Sequence, residues 1–145
     1  MSGKSGTGNR QTEFALVREA SRRLAAWSTV RLCCYVPLLG RCVDLAYILA
    51  GSVVTVEFKL HDWRRAVIQA RDHRLAADYA YICMPERNVS SRMLEEIGGA
   101  GIGLLFYDKR DSWPFRTVKR APRSTEIWAA VRSDVWDYIV SNEGS

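Results

Sequence analysis

Apolar positions along the chain change period several times, and each change marks an element. Behind Thr12, a good N-cap, Phe14, Val17, Ala20, Ser21, Leu24 and Trp27 recur at helical spacing, predicting a first helix to about Trp27. Glu13, Arg18, Arg22 and Arg23 fall mainly on its polar side. Period two then takes over. Residues 29–36, Arg41–Leu49 and Val53–Leu60 read as three strands, divided by PLLG at 37–40 and by Ala50-Gly51. They predict an antiparallel meander. Asp62 caps a helix over 62–76, whose Trp63, Ala66, Val67 and Ala70 form a stripe that covers the sheet. Tyr79–Met84 is the next strand, and a right-handed crossover makes it parallel to Val53–Leu60. Ser90 or Ser91 caps a short helix, Ser91–Ile97, which GGAGIG at 98–103 ends. Ile102–Tyr107 follows as a buried strand at the sheet's end. Residues 108–123 read as irregular. Thr125–Val140 reads as an amphipathic helix with Ile127, Trp128, Val131, Val135 and Ile139 on one side, for the core or for a dimer interface.

The hairpin at 41–60 carries the candidate chemistry. Alternation puts Glu57 and Lys59 on one side of their strand, and Val54, Val56, Phe58 and Leu60 on the core side. A turn centred between Ala50 and Gly51 sets Asp44 opposite Glu57, with Cβ atoms roughly 4.5–5.5 Å apart. Two acids and a lysine then converge on one patch. Facing carboxylates raise each other's pKa or call for a cation. A hard ion such as Mg²⁺ prefers oxygen ligands and often takes only one or two protein carboxylates. The plainer alternative is an exposed hairpin face on which Lys59 balances Glu57.

With 145 residues the expectation is one domain, with a core over about 12–107, a C-terminal loop and helix over 108–140, and a disordered Gly/Ser-rich tail at 1–10. The net charge of +5 suits a polyanionic partner without proving one. The four cysteines, Cys33, Cys34, Cys42 and Cys83, form no C-x-x-C and lie at no zinc-finger spacing from a histidine. They are expected to be small buried hydrophobes in a reducing cytoplasm. The longest apolar run, 32–50, contains Pro37, Gly40, Arg41 and Asp44, so no membrane span is expected. GKSGTG near the start lacks phosphate-loop spacing, and GGAGIG opens no helix, so neither reads as a nucleotide site. His73 is expected to be a solvated or capping histidine.

The order strand with Asp44, strand with Glu57-Phe58-Lys59, helix with Gln69-Ala70, then a strand led by Ala77-Asp78-Tyr79 resembles the PD-(D/E)XK nuclease superfamily over roughly residues 12–107. The family's nominal Pro-Asp is Val43-Asp44 here. The resemblance implies a restriction-endonuclease-like α/β fold, a mixed sheet in the order αβββαβ flanked by helices, with an extra C-terminal helix. It implies Mg²⁺ or Mn²⁺ held by Asp44, Glu57 and the backbone carbonyl of Phe58. Lys59 would orient the attacking water or neutralise charge on the phosphate. Gln69 and Glu13, with Glu19 as a second choice, would support them; the plainer reading of Glu13, a first-turn acid favoured by the helix dipole, weighs slightly more. The implied activity is hydrolysis of phosphodiester bonds in nucleic acid, with DNA favoured. A homodimer would suit cutting of two strands. Arg64, Arg65 and Arg71 on the 62–76 helix, and Arg116, Lys119 and Arg120 in the 108–123 loop, would position the phosphate backbone. Trp113 and Phe115 interleave with the loop's basic residues and could stack bases, or simply tuck onto the domain. The alternative from another class is a non-catalytic nucleic-acid-binding or regulatory module of the same fold. A third is an unrelated α/β protein with an accidental match.

Overall fold

The computed structural model describes residues 12–143; the expected disordered tail lies outside them. The described residues form a mixed α/β fold of one six-stranded sheet and four α-helices. In chain order these are α1 (Glu13–Leu24), β1 (Arg31–Leu38), β2 (Arg41–Leu49), β3 (Ser52–Phe58), α2 (Trp63–Asp72), β4 (Tyr79–Met84), α3 (Ser91–Gly99), β5 (Gly103–Tyr107), β6 (Phe115–Lys119) and α4 (Ala129–Asn142). A short 3₁₀ turn, His73–Leu75, extends α2. The strands lie side by side in sequence order. The meander β1–β2–β3 is antiparallel, β3, β4 and β5 run parallel, and β6 returns antiparallel to β5.

Both faces of the sheet are covered. Leu16, Val17, Ala20 and Leu24 of α1 bury one face together with Leu45, Val56 and Phe58. Ala66 and Ala70 of α2 and Met93 and Ile97 of α3 bury the other against Ala80, Ile82 and Met84. Val135 and Ile139 of α4 continue that second layer over Val36, Val43 and Val53. The C-terminal helix therefore packs on the core. The caps are those the sequence predicts: Thr12 accepts from Ala15 N–H, Asp62 from Arg65 N–H and Ser90 from Met93 N–H.

The β2–β3 register pairs Leu45 with Val56 and Leu49 with Ser52, so the turn centres between Ala50 and Gly51. Both turn residues have positive φ, 51° and 80°, which matches the twist of a tight hairpin. A second irregularity matters more. On β2, Leu45 and Tyr47 face the α1 layer, yet Val43 faces the α4 layer. On β1, Leu32 faces α1 while Val36 faces α4. Strict alternation would put each pair on one side. The phase breaks at Asp44 and at Tyr35, and Tyr35 has φ 55° in the middle of its strand.

Several expectations need correction. The first helix stops at Leu24, and Phe14 is exposed although its spacing suggested the core. β3 ends at Phe58 rather than Leu60, although Leu60 still packs on the α1 layer. Residues 108–123 are not all irregular, because Phe115–Lys119 is a strand. It lies at the sheet's edge, where basic residues are tolerated and guard against strand addition, and this hid it among loop residues. Ile102–Tyr107 is consequently not the last strand, and it begins at Gly103. The last helix starts at Ala129, because Trp128 is extended at φ −97°, ψ 117°. Cys42 is exposed and Cys34 half-buried, so only Cys33 and Cys83 behave as buried hydrophobes.

Candidate active site

Asp44, Glu57, Lys59, Glu13 and Gln69 come from β2, β3 and the residue after it, α1 and α2, and the fold gathers them at one place. Asp44 sits at the phase break of β2, where its side chain turns toward β3 and its Oδ2 accepts a hydrogen bond from Phe58 N–H at 2.8 Å. The β2–β3 register, continued by one pair, sets Asp44 opposite Glu57. Glu57 is buried, with Oε1 lacking any hydrogen-bond partner. Lys59 follows the end of β3, held by its backbone N–H to the Cys83 carbonyl at 3.0 Å. Its Nζ is 3.8 Å from Glu13 Oε1, and Glu13 Oε2 accepts from Leu60 N–H at 3.2 Å. The first-turn acid of α1 is thereby tied to the end of β3 and to the lysine.

On the α2 side the acids open into a cleft of about 480 Å³, lined by Leu38, Leu39, Arg41, Cys42, Asp44, Glu57, Gln69, Asp72 and His73. Gln69 Oε1 is buried and without a partner. His73, expected to be solvated or capping, is instead buried in the wall with Nδ1 unpartnered. Its Nε2 lies 4.0 Å from Glu57 Oε1, too far for a hydrogen bond. Its place four residues after Gln69, one helical turn on, was the signal for it.

Electrostatics set this site apart. Burial, then repulsion from Asp44, pushes the Glu57 carboxyl up to about 8, against partial relief from Lys59. Burial also raises Asp44; the Phe58 N–H opposes that, Glu13 adds to it and Lys59 lowers it. Burial lowers His73 to about 4. Near neutral pH both Glu57 and His73 are therefore uncharged, and their proximity is not an ion pair. The lysine alone does not offset the cost of setting buried Glu57 against half-buried Asp44.

Among the described residues no group of three or more His, Cys, Asp or Glu side chains is arranged to hold a metal ion. The two facing carboxyls nonetheless fit a hard divalent ion that takes few protein ligands. Glu57 Oε1 is an unpartnered buried oxygen, and both carboxyls are held toward the neutral form until a positive charge joins them. Phe58 buries its ring, and its N–H serves Asp44.

Some of the basic residues expected to meet nucleic acid are engaged within the protein, and others are exposed. Arg64 pairs with Glu96 at 3.6 Å and lies over Trp63, while Arg65 and Arg71 are exposed on α2. Arg116 reaches Glu86 at 3.5 Å and covers Phe106. Lys119 lies three strands from Glu57, roughly 14 Å away at ~4.8 Å per strand, with Arg120 exposed beside it. Phe115 is buried and Trp113 packs edge-on against it, so this pair tucks into the core rather than presenting open faces to bases.

No family model and no curated protein matches the sequence. Among solved structures, the SPO1766 protein of unknown function from Silicibacter pomeroyi is similar at 19% identity and a TM-score of 0.62, over 91% of this chain and 86% of that one. That likeness concerns the fold alone. No helix among the described residues is long and apolar enough to cross a membrane.

Proposed function

We propose that this chain is a metal-dependent nuclease that hydrolyses phosphodiester bonds in nucleic acid, DNA first, with a PD-(D/E)XK-type site on a restriction-endonuclease-like core. One observation carries the reading. Asp44, Glu57 and Gln69, which the resemblance implies, line a single cleft, and Lys59 and Glu13, which it also implies, pair with each other close enough to act on both acids, although only Glu57 and Lys59 are near neighbours in sequence. The element order through β4 also follows the αβββαβ arrangement.

Asp44 and Glu57 would hold the ion, with the Phe58 carbonyl as a third oxygen. When bound, Mg²⁺ or Mn²⁺ supplies Lewis-acid polarisation of the phosphate and a more acidic water. The rest is the work of this chain. Phe58 N–H fixes Asp44 so that its carboxylate faces the cleft. Glu13 holds the Lys59 ammonium at the rim, where it neutralises charge developing on the phosphate. The unpartnered Gln69 Oε1 can accept a hydrogen bond from the attacking water. His73 and Leu38 close the wall and keep the local dielectric low, which strengthens each of these interactions.

The test is cleavage of a substrate panel with Mg²⁺, with Mn²⁺ and with EDTA. The panel holds linear and circular duplex, single-stranded DNA, a four-way junction and RNA. Metal-dependent cleavage is expected, reduced by a factor of ~100 or more in Lys59→Ala with the melting temperature unchanged. A folded protein that binds but cuts none of these belongs instead to the non-catalytic class. Cleavage that persists in Lys59→Ala removes the site assignment.

A further inference from the structure

Phe14 occupies a position in the apolar stripe of α1, yet it is 58% exposed, and Tyr35 is 37% exposed. Their rings stack, with centroids 6.2 Å apart and 12° between planes. The Arg18 guanidinium lies 5.9 Å from the Phe14 ring. Leu39, also 58% exposed, lines the cleft. Single exposed apolar residues need no explanation, but an exposed stacked pair does. Tyr35 adds a cost of its own. Its φ of 55° is unfavourable for a bulky side chain, by about 1–3 kcal/mol, and such strain persists where a constraint holds it.

Position gives the pair a meaning. Phe14 follows Glu13, which binds Lys59. The β1–β2 register, read across the unpaired position, sets Tyr35 opposite Asp44, and the Asp44 charge raises the Tyr35 hydroxyl after burial does. The rings therefore stand beside the acid cluster, through Glu13 on one side and the Asp44 position on the other. A planar apolar face flanked by a guanidinium accepts a base by stacking, without regard to which base it is. A base inside a continuous duplex has both faces covered by its neighbours. Only an unpaired base presents a face.

We propose that Phe14 and Tyr35 form a stacking platform for an unpaired base whose adjoining phosphate lies at Asp44, Glu57 and Lys59, which makes single-stranded or frayed nucleic acid the preferred substrate. The placing of the phosphate rests on the nuclease reading; the platform itself does not.

The experiment measures binding in EDTA, where no cleavage intervenes. Short oligothymidylate carrying one 2-aminopurine is compared with a blunt duplex of equal length, using the full chain. The wild type is expected to bind the single strand more tightly and to quench the 2-aminopurine at one position. Phe14→Ala should weaken single-strand binding about tenfold, abolish the quench and leave duplex binding unchanged. Phe14→Trp should restore both. Equal losses on both substrates, no loss on either, or a dimer in sedimentation that Phe14→Ala dissolves would each overturn the platform. A quench that depends on Phe14 in a protein with no cleavage anywhere sinks the nuclease reading and leaves the platform. Cleavage with no dependence on Phe14 does the reverse.

Discussion

Asp78 and Glu57 are both buried acids, and they lie near opposite ends of β3. Asp78 is served from three directions. Its Oδ2 accepts from Val53 N–H at 2.7 Å and from Arg132 Nη2 at 2.8 Å, and its Oδ1 accepts from Arg123 Nη1 at 3.2 Å. Arg132 comes from α4 and Arg123 from the strap before it, so this one carboxylate fastens the C-terminal segment to the sheet. Glu57 has no such provision. One of its oxygens has no partner, its facing neighbour is another acid, and its carboxyl is pushed up to about 8. Buried polar groups in folded chains are normally satisfied, and one that is not calls for an explanation. The chain shows at Asp78 that it can satisfy a buried acid. Leaving Glu57 unsatisfied, over a cleft, fits a residue whose partner arrives from outside.

The comparison is broken most forcefully from the Asp78 side. Asp78→Ala strips partners from two arginines and from a buried backbone N–H, and should cost about 3–5 kcal/mol of stability. Urea denaturation reads this directly; a loss under ~1 kcal/mol would mean that the clamp is ornamental. Glu57→Gln should behave in the opposite way. The folded-state pKa of Glu57, about 8, lies above its ordinary 4.5, so the folded protein keeps a proton that the unfolded chain releases. That stability is full below 4.5 and is lost as pH rises through about 8. Between pH 6.5 and 8 the loss is about 2 kcal/mol in metal-free protein. Melting curves across this window should fall for the wild type and flatten for Glu57→Gln. Mg²⁺ at pH 8 should raise the melting temperature of the wild type and not that of the variant, by mass action on the folded state. Identical slopes in the two proteins would show that Glu57 is ordinarily ionised.

Much of this contrast was legible in the sequence, because it depends on periods and turns. The two-residue turn at Ala50-Gly51 fixed the register that opposes Asp44 and Glu57, and Asp62 and Ala66 fixed the helix that carries Gln69. The missing parts are those that depend on tertiary contact. Asp78 was read only as part of a strand, since nothing local announces that Arg123 and Arg132 will return to it from so far along the chain. Phe14 followed helical spacing and was read as core, but α1 turns it to solvent at the sheet's corner. β6 was hidden because its apolar residues, Phe115 and Val118, pack into opposite layers and leave no run of alternation between basic neighbours. Tyr35 could not have been foreseen at all, since a positive φ at a non-glycine residue is imposed by packing.

His73 allows the finest adjustment. It stands beside Glu57 and its pKa is displaced the other way, to about 4 from an ordinary 6.5. Its contribution is therefore full above 6.5 and is lost as pH falls through about 4. Between 4.5 and 6.5 the two groups oppose each other. Acidification favours the folded state through Glu57, which already holds a proton the unfolded chain lacks, and disfavours it through His73, which refuses one the unfolded chain takes up. The wild type should be nearly flat in this interval. His73→Gln keeps a polar group of similar reach but cannot be protonated, so it removes only the second slope. Its stability should rise on acidification from 6.5 to 5 where that of the wild type does not, with a difference between the two curves of about 1–2 kcal/mol. The difference is the quantity to measure, because the substitution also shifts both curves by a constant packing term. Parallel curves would mean that water reaches His73 and that the wall of the cleft is more open than its burial implies. Glu57 would then share that solvent, and its contrast with Asp78 would shrink accordingly.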